Sequence, residues 1–178
     1  SAFLVLVAAE PGAGERERLE RLIGMFWDIG LEVGHSVRTV QGCLETAADD
    51  VTIQTTLLGA RHLAGSRALY QRLATAVRRE LDPAAFFKGK TLEQEQRHAR
   101  HQDTPYALEP NLKEGPGGLR DLHSIQWIAR ACGLGWRWRL LRQRGLLLPA
   151  EAAQLARHET LLQDLRIRLH YLAGRRED

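Results

Sequence analysis

Residues 32–39 carry the sequence EVGHSVRT, which separates a mixed N-terminal part of the chain from a part with helical patterning almost to the end. The alternation of a strand places Glu32, Ser36 and Arg38 on one face. That face would present an acid, a hydroxyl and a guanidinium. His35 lies on the opposite face between two valines, and we predict that it is a core histidine.

Upstream, residues 3–9 (FLVLVAA) form a short continuous apolar run, which is typical of a strand buried on both faces. Between the two predicted strands, apolar residues from Leu19 to Trp27 recur at helical spacing, and this helix should end near Gly30. Two strands are too few for a stable sheet. We therefore expect two or more strands in the complete sheet and a chain that is part of a larger protein.

Downstream, local capping signals predict a series of helices. Their predicted start signals are Asp49 or Asp50 for a helix to about Leu63, Ser66, Asp82 with Pro83, and Pro149. The helix after Pro83 becomes polar over residues 91–102 and should be exposed along much of its length. In the last helix the leucines at 155, 162, 165, 169 and 172 are spaced as a packing seam. The predicted fold class is α+β, predominantly α, with a partial sheet followed by a helical domain.

Composition excludes several classes of protein. Apolar residues make up 44% of the 178 residues and charged residues 26%, which is typical of a globular chain. The longest apolar run is far shorter than the roughly 20 residues of a membrane span, and no basic segment precedes it as in a signal peptide. Two cysteines provide no disulfide framework, which favours a reducing, cytosolic setting. The net charge is only +3, and the basic residues do not form the concentrated stripe that is typical of a nucleic-acid binder.

The irregular segment at residues 109–121 (EPNLKEGPGGLRD) is the strongest functional signal. A glycine pair leads into a helix, with Lys113 before it and Arg120 just inside. Glycines permit close backbone approach, and a helix N-terminus offers N–H groups to a phosphate. The alternative is an ordinary loop with a helix cap and scattered charges.

The amino-acid sequence of this region also resembles that of a known family. EPNLKEGPGGLRDLHSIQWIAR at residues 109–130 resembles the signature region of bacterial PII-protein uridylyltransferase/uridylyl-removing enzymes. Other stretches are similar in the same order: WDIGLEVGHSVRT (27–39), DVTIQTTLLGARHLAG (50–65), EQRHARH (95–101) and LRIRLHYLAGRRED (165–178). The resemblance covers nearly the whole chain.

The resemblance implies a nucleotidyltransferase of the polymerase-β type. Such an enzyme moves UMP from UTP, with Mg²⁺, onto a tyrosine of the nitrogen-signalling protein PII in the cytoplasm. The full enzyme is multifunctional and also removes UMP in a separate domain. Residues 1–65 would be the C-terminal part of the nucleotidyltransferase domain and residues 66–178 a helical domain. PII and UTP are the expected partners, and no nucleic acid or membrane is expected.

The resemblance also implies what this chain lacks. The family's magnesium-binding carboxylates belong to a Gly-rich helix start and an Asp-x-Asp strand, which would lie at or before residue 1. We expect a fragment without those aspartates, with unknown catalytic residues, no bound metal and no transfer activity alone. Gly59 also stands where the family usually has an acid, and Ser66 where it usually has an aspartate.

The residues of this chain that could serve the substrate are secondary contacts. The candidates are Glu32, Ser36, Arg38, Lys113, Gly117, Gly118, Arg120 and Asp121. Two other functions remain open: an adenylyltransferase acting on glutamine synthetase, and a non-catalytic helical docking module. We interpret His98 and His101 as surface histidines, and Trp136 and Trp138 as structural.

Overall fold

The computed structural model describes residues 2–31, 34–101, 110–175 and 177. Within these ranges the backbone forms one two-stranded sheet and is otherwise mainly helical, which confirms the predicted fold class. The elements in chain order are β1 (Ala2–Val7), α1 (Ala13–Asp28), β2 (Gly34–Thr39), α2 (Val40–Ala47), α3 (Val51–Gly59), α4 (Arg67–Glu80), α5 (Pro83–Arg100), α6 (Leu119–Ala131), α7 (Trp138–Gln143) and α8 (Pro149–Ala173). None of the described helices is long and apolar enough to cross a bilayer.

The chain divides into two compact units, Ser1–Glu80 and Leu81–Asp178. In the first unit β1 and β2 pair in parallel, with α1 as the crossover between them. Phe3 of β1 stacks on Phe26 of α1 with ring centroids 5.2 Å apart, so the helix packs against the sheet. The sequence-based boundary after residue 65 concerns the family's domains and stays a prediction.

His35 corrects one sequence-based prediction. It is exposed and not in the core, with the Trp27 ring 5.9 Å away in an edge-on arrangement. Strand alternation assigns a residue to a face, but it does not show whether a helix covers that face.

The helix predicted to start at Asp49 or Asp50 begins as expected but ends early. The Asp50 carboxylate accepts hydrogen bonds from the N–H groups of Thr52 (2.8 Å) and Ile53 (3.0 Å). The helix ends at Gly59, because Ala60 is extended and its carbonyl accepts a hydrogen bond from the Tyr70 hydroxyl at 2.9 Å. A side chain of α4 thus donates a hydrogen bond to the backbone carbonyl that follows α3.

The second unit packs α6, α7 and α8 around one apolar cluster. Its buried members are Leu122, Ala129, Trp138, Leu141 and Ala152. Leu155 and Leu162 of the predicted seam pack against this cluster. The other three leucines of the seam are exposed in the described structure, so the prediction is wrong for the second half of α8. The reason is length: 25 residues span roughly 37 Å, far more than α6 or α7 can cover.

Candidate functional site

The Gly-rich loop of the second unit is built on an asparagine turn. Oδ1 of Asn111 accepts hydrogen bonds from the N–H groups of Lys113 (3.0 Å) and Glu114 (2.6 Å). The Asn111 carbonyl also accepts one from the Gly115 N–H at 3.2 Å. An asparagine side chain that holds its own backbone in this way fixes a turn without secondary structure.

Three glycines complete the loop for conformational reasons. A Cβ on Gly118 would lie 2.9 Å from the carbonyl oxygens of three loop residues, and one on Gly115 would lie 2.8 Å from that of Asn111. Gly117 has a φ of +76°, a region that other residues rarely adopt. The geometry of the loop itself therefore requires these glycines, and substrate contacts of Gly117 and Gly118 stay a prediction.

The first N–H groups of α6 are already engaged by the loop. Those of Leu119 and Arg120 donate to the carbonyls of Leu112 (2.9 Å) and Lys113 (2.8 Å). The Asp121 N–H donates to the Gly118 carbonyl at 3.1 Å. The expectation of N–H groups open to a phosphate is wrong for these three residues. A phosphate contact at this loop would depend on side chains.

The two predicted cations of the loop share one carboxylate. Glu114 lies 3.2 Å from Nζ of Lys113 and 2.8 Å from Nη2 of Arg120. Burial alone would raise the pKa of Glu114, but the hydrogen bonds and charges of Arg120 and Lys113 outweigh it and lower that pKa. The Glu114 carboxylate is therefore ionised at neutral pH and pairs with both cations.

The Asp121 side chain ties the helix start back to α5. Its carboxylate pairs with Nη2 of Arg97 and lies 3.0 Å from Nε2 of His98, and it accepts a hydrogen bond from the Gly117 N–H at 2.8 Å. Arg97 is only 5% exposed, and its Nε and Nη1 lack a hydrogen-bond partner among the described residues. The interpretation of His98 as a surface histidine is wrong, because the ring bonds to a half-buried carboxylate.

Further along the same helix pair, the Trp127 ring lies against two cations. Nζ of Lys90 is 4.6 Å from the ring centroid, and the Arg120 guanidinium is 5.5 Å from it. Lys90 is buried and pairs with Glu93 at 2.7 Å. Two basic residues on α5, Lys90 and Arg97, are thus buried against α6, whereas the sequence predicted that much of the polar stretch nearby is exposed.

A second polar group, centred on the partly buried Glu159, joins α6, α7 and α8. The carboxylate of Glu159 accepts hydrogen bonds from Nε1 of Trp138 (2.7 Å) and Nε2 of Gln126 (3.1 Å). Trp138 is buried, which confirms its structural interpretation, whereas Trp136 is exposed and does not belong to the core. Burial lowers the pKa of nearby His123, although the charge of Glu159 opposes this shift.

The predicted polar face of β2 belongs to the first unit. Ser36 and Arg38 lie on the same face, in register with Leu4 and Leu6 of β1. Arg38 donates a hydrogen bond to the Thr46 hydroxyl, a contact to the helix that follows the strand. Glu32 falls outside the described residues.

The structure brings five of the candidate residues together within the second unit. Lys113, Gly117, Gly118, Arg120 and Asp121 share one loop and helix start, whereas Ser36 and Arg38 belong to the other compact unit. Sequence reasoning missed the contacts of Arg97, His98 and Glu159. The EQRHARH stretch was the signal for Arg97 and His98. A pattern along one helix, however, does not identify a contacting residue that is more than 20 positions away in the chain.

Metal ligands do not assemble in the part of the chain that the structure describes. No group of three or more His, Cys, Asp or Glu residues lies close enough together there to hold an ion. Gly59 has open space around its Cβ position, so packing does not require a glycine at this place.

The described residues define an α+β protein whose helical unit carries an ion-paired Gly-rich loop. The chain belongs to the GlnD PII-uridylyltransferase family, whose model matches residues 85–178. It is 58% identical over 175 residues to the bifunctional uridylyltransferase/uridylyl-removing enzyme of Cupriavidus pinatubonensis, which covers 98% of this chain and 20% of that protein. It is 57% identical over 176 residues to the enzyme of the same name from Burkholderia mallei, covering 99% and 20%.

A third relative, from Burkholderia thailandensis, has the same name and is 59% identical over 162 residues, covering 91% of this chain and 19% of that protein. The chain therefore spans about one fifth of the length of the curated relatives it matches. No solved structure matches it significantly.

Proposed function

We propose that the intact protein transfers UMP from UTP to a tyrosine of the PII nitrogen-signalling protein and removes it by a separate activity. The carrying observation is the 57–58% identity, over nearly the whole chain, to relatives whose names state both activities. The family model, described as a PII-uridylyltransferase, supports PII as the protein target. The proposal places this enzyme in the cytoplasm.

The proposed reaction is an in-line attack of the tyrosine oxygen on the α-phosphorus of UTP. The new bond joins that oxygen to the α-phosphorus, the bond to the β-phosphate oxygen breaks, and pyrophosphate and the phenolic proton leave. Carboxylate-held Mg²⁺ stabilises such charge in nucleotidyl transfer. The described residues do not fit this ion, because no ligand group assembles among them. We propose that it binds to another part of the intact enzyme.

Within this reaction the Gly-rich loop would contact the nucleotide phosphates through Lys113 and Arg120. Supporting this role, both cations lie on a loop that its own hydrogen bonds hold in one conformation. Glu114 lies within ion-pair distance of both side chains and so holds the two cations close together at the start of α6. Asp121 would position the loop, because its carboxylate pairs with Arg97 of α5 and accepts a hydrogen bond from the Gly117 N–H. On β2, Glu32, Ser36 and Arg38 would make secondary contacts.

The test uses the full-length enzyme with PII, glutamine synthetase, UTP and ATP in all combinations. Mass spectrometry should find UMP on a tyrosine of PII only when UTP and PII are both present. AMP on glutamine synthetase would replace this proposal with the adenylyltransferase alternative.

A second arm addresses the docking alternative with the 178-residue chain by itself. Capture of PII without nucleotide binding in calorimetry would make docking the role of this part of the enzyme.

A further inference from the structure

Residues 122–150 contain five arginines and neither Asp, Glu nor Lys. Four of these arginines are exposed on or beside α7, and next to them lies the ring of Trp136. We call this surface the Arg/Trp patch; its members are Trp136, Arg137, Arg139, Arg142 and Arg144. None of the four arginines forms an ion pair with any other residue in the described ranges.

The patch combines these charges with apolar surface. Trp136 is 49% exposed, and the Arg137 guanidinium lies 5.4 Å from its ring centroid. Leu146 and Leu148, just after α7, are also exposed. Trp and Arg are among the residues most enriched at the energetic centres of protein interfaces, and exposed apolar surface rimmed by polar groups marks interaction sites.

The support beneath the patch is rigid. Trp138 and Leu141 anchor α7 in the core, and Nε1 of Trp138 donates to Glu159 at 2.7 Å. After α7 the chain turns at Gly145, which has a φ of +74°, and the Leu146 N–H donates to the Leu141 carbonyl at 3.0 Å. Core packing and the turn therefore fix the backbone that carries the patch, which reduces the backbone entropy lost when a partner binds.

The chemistry of the patch favours a protein that presents carboxylates. Guanidinium groups form bidentate hydrogen bonds with carboxylates. The six residues of α7 span only about 9 Å, too short for an interfacial membrane helix or for tracking a nucleic-acid backbone. A transferase with a protein substrate also needs surface to hold it, on the order of 800 Å² on each partner.

We propose that the Arg/Trp patch docks an acidic face of the protein substrate. The identity of this protein substrate as PII rests on the proposed function above. The patch holds the substrate protein while the tyrosine reacts elsewhere, so its effect falls on substrate affinity and association rate.

The test is steady-state kinetics of the full-length enzyme carrying Arg139→Glu and Arg142→Glu together. The KM for PII should rise about 10-fold or more, because charge reversal opposes the acidic partner, while the KM for UTP stays within about twofold. Replacement of both residues by Lys should recover part of the affinity. The matched control, Arg72→Glu with Arg78→Glu, reverses two exposed arginines on α4 and should change neither KM.

An unchanged KM for PII in the charge-reversal variant overturns the proposal. If the same variant instead melts at a lower temperature with that KM unchanged, another domain of the polypeptide covers the patch, which also overturns it. Loss of binding to single-stranded RNA or to phosphatidylserine vesicles, with PII kinetics unaffected, would assign the patch to those partners. If the unmodified enzyme moves no UMP to PII, the proposed function fails, which is a separate result.

Discussion

Nε2 of His98 lies 3.0 Å from both carboxylate oxygens of Asp121, which is 23 residues further along the chain. The same carboxylate pairs with the buried guanidinium of Arg97 and accepts the Gly117 N–H. One side chain thus connects α5, the Gly-rich loop and the start of α6. The position of the loop on the helical unit depends on this carboxylate.

Asp121→Asn should lower the free energy of unfolding by about 3 kcal/mol, because the buried Arg97 guanidinium loses its charged partner. Urea denaturation of the 178-residue chain measures this. Asp164→Asn on the exposed side of α8 is the control and should change stability by less than about 0.5 kcal/mol. A similar small effect for both variants would show that Asp121 does not hold the loop.

Gly118→Ala should destabilise the chain by about 2 kcal/mol or more, since the new methyl group would meet three carbonyl oxygens at 2.9 Å. The control is Gly24→Ala in α1, where the added methyl group has open space. That variant should gain about 0.5–1 kcal/mol from helix propensity. Thermal melts compare the two, and equal effects would contradict the close packing of the loop.

Glu159→Ala should cost about 2 kcal/mol, because the buried indole N–H of Trp138 and the buried amide of Gln126 lose their shared acceptor. A shift in tryptophan fluorescence should accompany the loss. The exposed Gln163→Ala on the same helix provides the comparison and should leave both the spectrum and stability unchanged. An unaltered spectrum for Glu159→Ala would exclude this hydrogen bond.

His123 should make stability depend on pH. Burial lowers its pKa below the usual 6.5, so the folded chain binds this proton less readily than the unfolded chain. The contribution of neutral His123 to the free energy of unfolding is therefore fully present above pH 6.5 and is lost as the pH falls through the lowered pKa. Urea denaturation from pH 7.5 to 5.0 should show a flatter profile for His123→Gln than for the unmodified chain.

The exposed His158→Gln is the control for this titration and should keep the slope of the unmodified chain. Parallel profiles for His123→Gln and the unmodified chain would show that His123 is not responsible.

In the intact enzyme, Lys113→Ala and Arg120→Ala should each raise the KM for UTP or lower turnover by about 10-fold or more, if the loop stabilises phosphate charge. Lys88→Ala, an exposed lysine of α5 outside the loop, should leave both constants unchanged. Melting temperatures identify variants that fail to fold. Unchanged kinetics in both variants would remove these residues from the nucleotide site.

Short-range signals explain the parts of the fold that the sequence predicted well. Asp82 caps α5 through a hydrogen bond from the Ala84 N–H at 2.8 Å, and Pro149 stands in the first turn of α8. Each signal acts within a few residues, so it is legible in the chain itself. The early end of α3 was not predicted, because the Tyr70 hydroxyl that bonds to Ala60 comes from the next helix.

The sequence by itself determined the order of strands and helices, their caps and the Gly-rich loop. Its motifs also identified the family. Only the tertiary structure decided that Arg97 and His98 meet Asp121, that Glu159 accepts from Trp138, and that three of the five leucines in the α8 seam are exposed in the described structure. The physical reason is range. Caps and turns depend on neighbouring residues, whereas partner and burial depend on which helices come to lie side by side.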